Sequence, residues 1–417
     1  MFRFRTAASA VALGLMALAT HSPSLAQDKT LSIVWMGWPD EHVKPMMDAF
    51  MAAHPDITVN YERVPFNQIF QTLDVRLNAR TPDPDVYSVD SPLTASYAVR
   101  GHLLDLTEII DVDKLTPAAR AAAQYDGKLY SAPIASSSAL LFYNKALLDA
   151  AGIPHPSTDP AERMTWEAVV EGAKSIRDEK AGVWGLVIEQ SERPYQLLPM
   201  AQSLGATGIS EDGLTATGYV DSPEFVEAAT FYRNLFNEWR VSPTGVFDHN
   251  LSQELFGTGK TGFFIGGPWM LSILANYPDL DWGVAPFPYF EKGKPVTPTG
   301  SWHVGINPRT DAMDAAKTFV NWYLSDAAQQ EWFKLRSYPQ VTSSMWELEA
   351  EAFDSDGWQI MRHELDETAV ARPATPGWRE YEDILRVAFR DIQTGEDPQT
   401  ALTRAATQID RELVKYR

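Results

Sequence analysis

Three short apolar runs near the start of the chain, separated by helical spacing, fix what it can fold into. LSIVW at 31–35 reads as a strand, and Val43, Met46, Met47, Phe50 and Met51 then recur at helical intervals up to the break HPD. ITVNYERV at 57–64 alternates Ile57, Val59 and Tyr61 as a half-buried strand does, and after a further helix DVYSVD at 85–90 reads as another short buried strand. Strand–helix–strand alternation predicts an α/β fold, with a largely parallel sheet and helices on both faces. Later segments are helix-rich. Ser222-Pro223 opens a helix carrying Phe225, Ala228, Ala229, Tyr232, Phe236 and Trp239, residues 311–324 give a second, and Asp397-Pro398 opens a last one with Ala401, Leu402, Ala405, Ile409 and Leu413. These stripes are core packing and carry no chemistry.

What precedes the first strand predicts the compartment. Arg3 and Arg5, an apolar run from about Ala7 to Ala19, and Ser24-Leu25-Ala26 form the three zones of a secretory leader, predicted over residues 1–26. The run is short for a membrane span, and the alternative is an uncleaved anchor. No cysteine occurs anywhere, so neither a lipid on an N-terminal cysteine nor a disulfide is available, and a periplasmic chain must stand on its core. Its 417 residues suffice for that and suggest two or three domains. Loss of Arg3 and Arg5 takes the net charge from −20 to −22, which argues against nucleic acid as a partner.

Catalytic signatures are missing. GTGKT at 257–261 resembles the end of a phosphate-binding loop, but the glycine required five positions before Gly259 is Glu254, so the segment reads as a helix end and strand start. The eight histidines show no HExxH or Cys/His spacing, and there is no G-x-S-x-G. Neither a metal nor another cofactor is expected. Paired carboxylates for glycoside cleavage are set by distance in space, so a secreted glycoside hydrolase or lyase stays open as an alternative.

Several longer segments carry a resemblance. YDGKLYSAPIASSSALLFYNKALLDAAGIP (125–154) is followed by TWEAVVEGAKSI (165–176). With them go FMAAHPDITV (50–59), PDVYSVD (84–90), GKTGFFIGGPW (259–269), DWGVAPFP (281–288), TGSWHVGIN (299–307) and RPATPGWREYEDIL (372–385). In this order they resemble extracellular solute-binding protein family 1, the sugar-binding receptors of ABC importers, similar to trehalose- and maltose-binding members. The resemblance implies a two-lobed α/β periplasmic binding protein, type II-like, each lobe a mainly parallel sheet flanked by helices, closing over ligand by a hinge of crossing strands. It implies lobes of 27–136 plus 299–343 and of 137–298 plus 344–417, with crossings near 135–139, 295–300 and 342–345. A membrane permease is the implied partner, and a closing monomer is the simplest state.

The same resemblance, together with the positions that follow strands, supplies candidate ligand residues. Trp269, on the turn after Gly266-Gly267-Pro268, is the aromatic against which the apolar face of a sugar packs, with Gly267 letting backbone N–H groups approach. Trp302 is the second aromatic, from the other lobe. Trp38 follows the first strand, where a parallel sheet presents ligand loops, and at least one of Asp40 and Glu41 is expected to face the cleft. Asp90 accepts hydroxyl hydrogen bonds, Arg372 is the matching donor, and Asn67 and Gln68 are further polar contacts. At Ser137, within Ser136-Ser137-Ser138, the disaccharide-binding members carry an acidic residue. Its loss while Arg372 stays gives the hypothesis of a ligand that is anionic, a polyol, or smaller than a disaccharide.

Overall fold

The computed structural model describes residues 29–336, 338 and 341–417. The expected leader at 1–26 lies outside the described residues. Two sheets organise the chain. The first runs Ile57–Val64, Lys29–Met36, Val86–Asp90, Trp302–Ile306 and Ala132–Pro133, and the second Trp282–Ala285, Leu140–Asn144, Thr261–Gly266 and Trp184–Ile188.

The opening alternation forms as its periodicity requires. Lys29–Met36 lies parallel to both Ile57–Val64 and Val86–Asp90, with Lys29 opposite Ile57 and Ile33 opposite Val86. The connecting helix Asp40–Ala53 buries Val43, Met46, Met47 and Phe50 on one stripe. In the second sheet, Thr261–Gly266 is buried along its whole length, and the preceding helix His249–Gly257 ends just before it. The GTGKT segment is therefore a helix end and a strand start.

The lobes are α/β, and each mainly parallel sheet carries one strand that runs against the rest. Trp302–Ile306 runs antiparallel to both of its neighbours, and Leu140–Asn144 antiparallel to both of its own. Only Trp184–Ile188 pairs in parallel within the second sheet. Leu140–Asn144 and Trp302–Ile306 are the first strands laid down after the chain has passed from one sheet to the other, and each runs against the other strands of its sheet.

These passages are hydrogen-bonded to one another. Ser137 bridges Gly300, Thr297 Oγ1 accepts from Ala139 N at 3.1 Å, and Thr297–Thr299 pairs in parallel with Ala369–Ala371. Gly300 and Ser301 have φ of 140° and 127°, a region that L residues rarely adopt. The C-terminal helices form at the expected stripes. Ser222 Oγ caps Pro223–Asn237, although that helix ends before Trp239, and Asp397 caps Pro398–Leu413. Among the described residues no helix is long and apolar enough to cross a membrane.

Candidate functional site

A cavity of about 410 Å³ opens between the two sheets. Its walls come from strand ends, because side chains there are released from the ladder and point out of the sheet edge. The first sheet contributes Trp38 beyond Met36, Asp90 at the end of its strand, Phe66 at a helix start, and Trp302. The second contributes Glu189 and Tyr195 beyond Ile188, and Trp269 beyond Gly266.

The first-sheet wall is a packed aromatic cluster. Trp302 is nearly buried, stacks on Phe70 at 6.0 Å and 22°, and meets Trp38 edge-on at 6.2 Å. Trp38 rests on Trp332 at 5.0 Å, and its Nε1 is buried with no acceptor. Trp302 thus serves as a core residue at a strand start and as cavity lining at once.

Trp269 is partly exposed and begins the short helix Trp269–Ile273, one step past the turn on which it was expected. Its Nε1 donates to both oxygens of Glu189, at 2.9 and 3.0 Å, and Gln253 Nε2 donates to Glu189 Oε1 at 2.5 Å. Burial pushes the Glu189 carboxyl up to about 7, against the pull of the Gln253 and Trp269 donors. The Gly267 requirement has a different cause from backbone access to ligand. A Cβ there would come within 2.2–2.6 Å of three atoms of the six-membered ring of Trp269, and Gly267 itself does not line the cavity. The glycine is what lets the indole fold back over the turn.

Asp90 and Arg372 both line the cavity, and each is the other's partner. Arg372 Nη2 donates to Asp90 Oδ1 at 2.5 Å and Nη1 to Oδ2 at 3.1 Å, with Nη2 also 3.3 Å from Ser91 Oγ. The guanidinium lies over the Tyr195 ring at 5.1 Å and the Trp378 ring at 5.6 Å. The expected acceptor and its matching donor therefore meet each other at the cavity wall. An unneutralised Arg372 was also the ground for an anionic ligand, and Asp90 removes that ground. Ser137 lines the cavity too, taking a hydrogen bond from Tyr195 Oη at 2.9 Å and donating to Gly300 O at 3.3 Å.

Four other expected contacts fall outside the cavity lining. Asp40 and Glu41 sit in the first turn of Asp40–Ala53, where a carboxylate favours the helix N-terminus. Asp40 accepts from Tyr61 Oη at 2.8 Å and pairs with Arg63 at 3.1 Å, while Glu41 is exposed. Asn67 and Gln68 are exposed because Phe66–Asn78 begins one residue earlier and turns Phe66 inward. Among the described residues no group of three or more acidic or histidine side chains is placed to hold a metal.

A sequence profile described as bacterial extracellular solute-binding protein matches residues 40–330. The chain belongs to that family. This solute-binding protein is similar to a binding protein of Brucella abortus (strain 2308), 26% identical over 417 residues that cover 96% of this chain and 97% of the relative. It is also similar to the maltotriose-binding protein of Pyrococcus abyssi (strain GE5 / Orsay), 28% identical over 290 residues, or 67% of this chain and 59% of that one. Among solved structures, an ABC substrate-binding protein from Listeria monocytogenes in complex with cycloalternan has the same fold. The TM-score is 0.82 at 24% identity, covering 93% of this chain and 99% of that one.

Sequence reasoning missed several residues that this solute-binding protein places in its cavity: Phe66, Glu189, Arg193, Tyr195, His249 and Arg336. One signal was available. Glu189, Gln190, Arg193, Tyr195 and Gln196 all follow the strand Trp184–Ile188 directly, the same strand-end position that pointed to Trp38. Nothing comparable marks Arg336, at the end of the helix Asp326–Arg336.

Proposed function

We propose that this chain is a periplasmic receptor that captures a carbohydrate between two closing lobes and delivers it to an ABC-type importer. The observation that carries the reading is Trp269 and Trp302 lining one cavity from different sheets. A sugar ring has partly apolar faces and a rim of hydroxyls, so it suits aromatic platforms with polar groups between them. The maltotriose-binding relative and the cycloalternan complex support the same class of ligand. Of the expected contacts we retain Trp38, Asp90, Ser137, Trp269, Trp302 and Arg372.

The role is binding and not turnover. Both oxygens of Asp90 are held by Arg372 and both oxygens of Glu189 by Trp269, which leaves neither carboxylate disposed as the nucleophile or general base of a glycosidase. We assign residues 1–26 to the cleaved leader, the lobes to 27–136 plus 299–343 and 137–298 plus 344–417, and the hinge to crossings near 135–139, 295–300 and 342–345. Hydrogen bonds between the passages at Ser137, Thr297 and Gly300 support the first two crossings. A monomer suffices for the mechanism.

The test is calorimetric titration of the purified protein with neutral and acidic mono- to trisaccharides, each also offered as a chromogenic glycoside. Saturable binding, weakened at least about tenfold in Trp269→Ala and without release of chromophore, is expected. Chromophore release lost on changing one carboxylate sinks the receptor reading in favour of an enzyme.

A further inference from the structure

Three arginines line the cavity, Arg193, Arg336 and Arg372, and they differ in one respect. Arg372 is neutralised by Asp90, and Arg193 donates to buried Glu382 at 2.6 Å. Arg336 has no carboxylate within ion-pair distance among the described residues. Its Nη1 donates to His42 Nδ1 at 3.0 Å, its Nη2 lies 3.3 Å from Tyr338 Oη, and its Nε is buried with no acceptor.

The surroundings keep this cation fixed and uncompensated. The guanidinium carbon lies 5.6 Å from the Trp38 ring centroid and 5.1 Å from that of Tyr338, so two aromatic faces orient the planar fork. His42 must be unprotonated at Nδ1 to accept, and both burial and Arg336 itself lower its pKa. The two carboxylates that line the cavity are committed elsewhere, Asp90 to Arg372 and Glu189 to Trp269 and Gln253. A half-buried cation with an unmet donor costs folding free energy, and an anion brought by the ligand would offset that cost.

We propose that Arg336 is the anion-recognition residue of the cavity, and that the ligand is a saccharide bearing one oxyanion group, seated on Arg336 while a sugar ring packs on Trp269. A rigid fork of N–H donors matches a carboxylate or phosphate bidentately, and such charge-assisted bonds are stronger than those to neutral hydroxyls. The proposal rests on the carbohydrate-receptor reading and narrows it to acidic sugars. It also moves the anionic group away from Arg372, whose charge is already met.

The experiment is a titration of the purified protein with matched probes. Glucose and galactose are compared with glucuronate and galacturonate and with the two 6-phosphates, and maltose and cellobiose serve as neutral disaccharides. An acidic probe is expected to bind about 10- to 100-fold more tightly than its neutral counterpart, more weakly as salt is added. The carboxylate and phosphate arms identify which oxyanion fits. Arg336→Gln collapses the ratio of acidic to neutral affinity to about one, Arg336→Lys retains part of it, and thermal unfolding confirms that both variants fold. Neutral probes binding as well as acidic ones, or a ratio that survives Arg336→Gln, overturns the proposal and leaves the receptor reading standing. Binding of none of the probes overturns both.

Discussion

Arg372 reaches from the segment after Ala369–Ala371 to the end of Val86–Asp90 and closes a bidentate pair with Asp90, Nη2 to Oδ1 at 2.5 Å. Both side chains are nearly buried, at 6% and 8% exposure. Removing one partner strands the other's charge in a low-dielectric site. Arg372→Ala is therefore expected to cost about 3–5 kcal/mol in urea unfolding, while Asp90→Asn with Arg372→Gln costs clearly less than the two single changes summed. Additive costs would show that the pair is not coupled.

Glu189 and His303 pull the pH dependence of stability in opposite directions. Burial raises the Glu189 carboxyl from 4.5 to about 7, so between those values the folded state keeps a proton that the unfolded chain has released. Its stabilisation is complete below about 4.5 and lost as pH rises through 7, on the order of 3 kcal/mol in all. Burial and then Arg372 lower His303 from 6.5 to about 3, so its contribution is present above 6.5 and lost as pH falls toward 3. Glu189→Gln is expected to remove the decline in unfolding free energy between pH 5 and 8 and leave the acid limb in place. An unchanged slope would place the Glu189 pKa near its ordinary value.

Gly267 and Trp269 form a unit in which the ring needs the missing side chain. Gly267→Ala drives a methyl into the indole and displaces it, at about 1–3 kcal/mol of stability and roughly tenfold in ligand affinity. In a Trp269→Ala background the same change is expected to have almost no further effect on either quantity. A full-sized effect in that background would mean that Gly267 meets something other than the ring.

Gly300 and Ser301 hold backbone angles that only glycine takes without strain, and they lie where the chain passes between sheets. Ser301→Gly should stabilise by up to about 1 kcal/mol, since relief of strain is partly offset by the entropy of the unfolded glycine. Gly300→Ala should destabilise by more than that, its Cβ arriving 2.5 Å from Ser91 Oγ and 3.1 Å from Arg372 Nη2. Equilibrium unfolding of the two variants checks the sign of each.

Residues 31–90 made the α/β class legible because hydrophobic periodicity is a local property. Val43, Met46, Met47 and Phe50 can lie on one stripe only if the chain is helical there. Trp38 was legible as a candidate because it follows a strand end, whereas Trp269 and Trp302 were legible through the resemblance carried by GKTGFFIGGPW and TGSWHVGIN. Which of their neighbours turn inward was not. Phe66 lines the cavity and Asn67 does not, because one residue of helical phase, about 100°, decides the matter and the sequence leaves that phase loose.

Sheet polarity and charge pairing needed the tertiary structure. Whether Leu140–Asn144 and Trp302–Ile306 join their sheets parallel or antiparallel depends on the direction from which the chain returns, and no short window contains that. Asp90 and Arg372 lie 282 residues apart, and no carboxylate lies within ion-pair distance of Arg336 among the described residues. Residue type and local spacing gave the class of fold, and the resemblance carried by the longer segments gave the aromatic platforms. Electrostatics at a few ångströms, between groups hundreds of residues apart, decided which charges are spent within the protein and which one is left for a ligand.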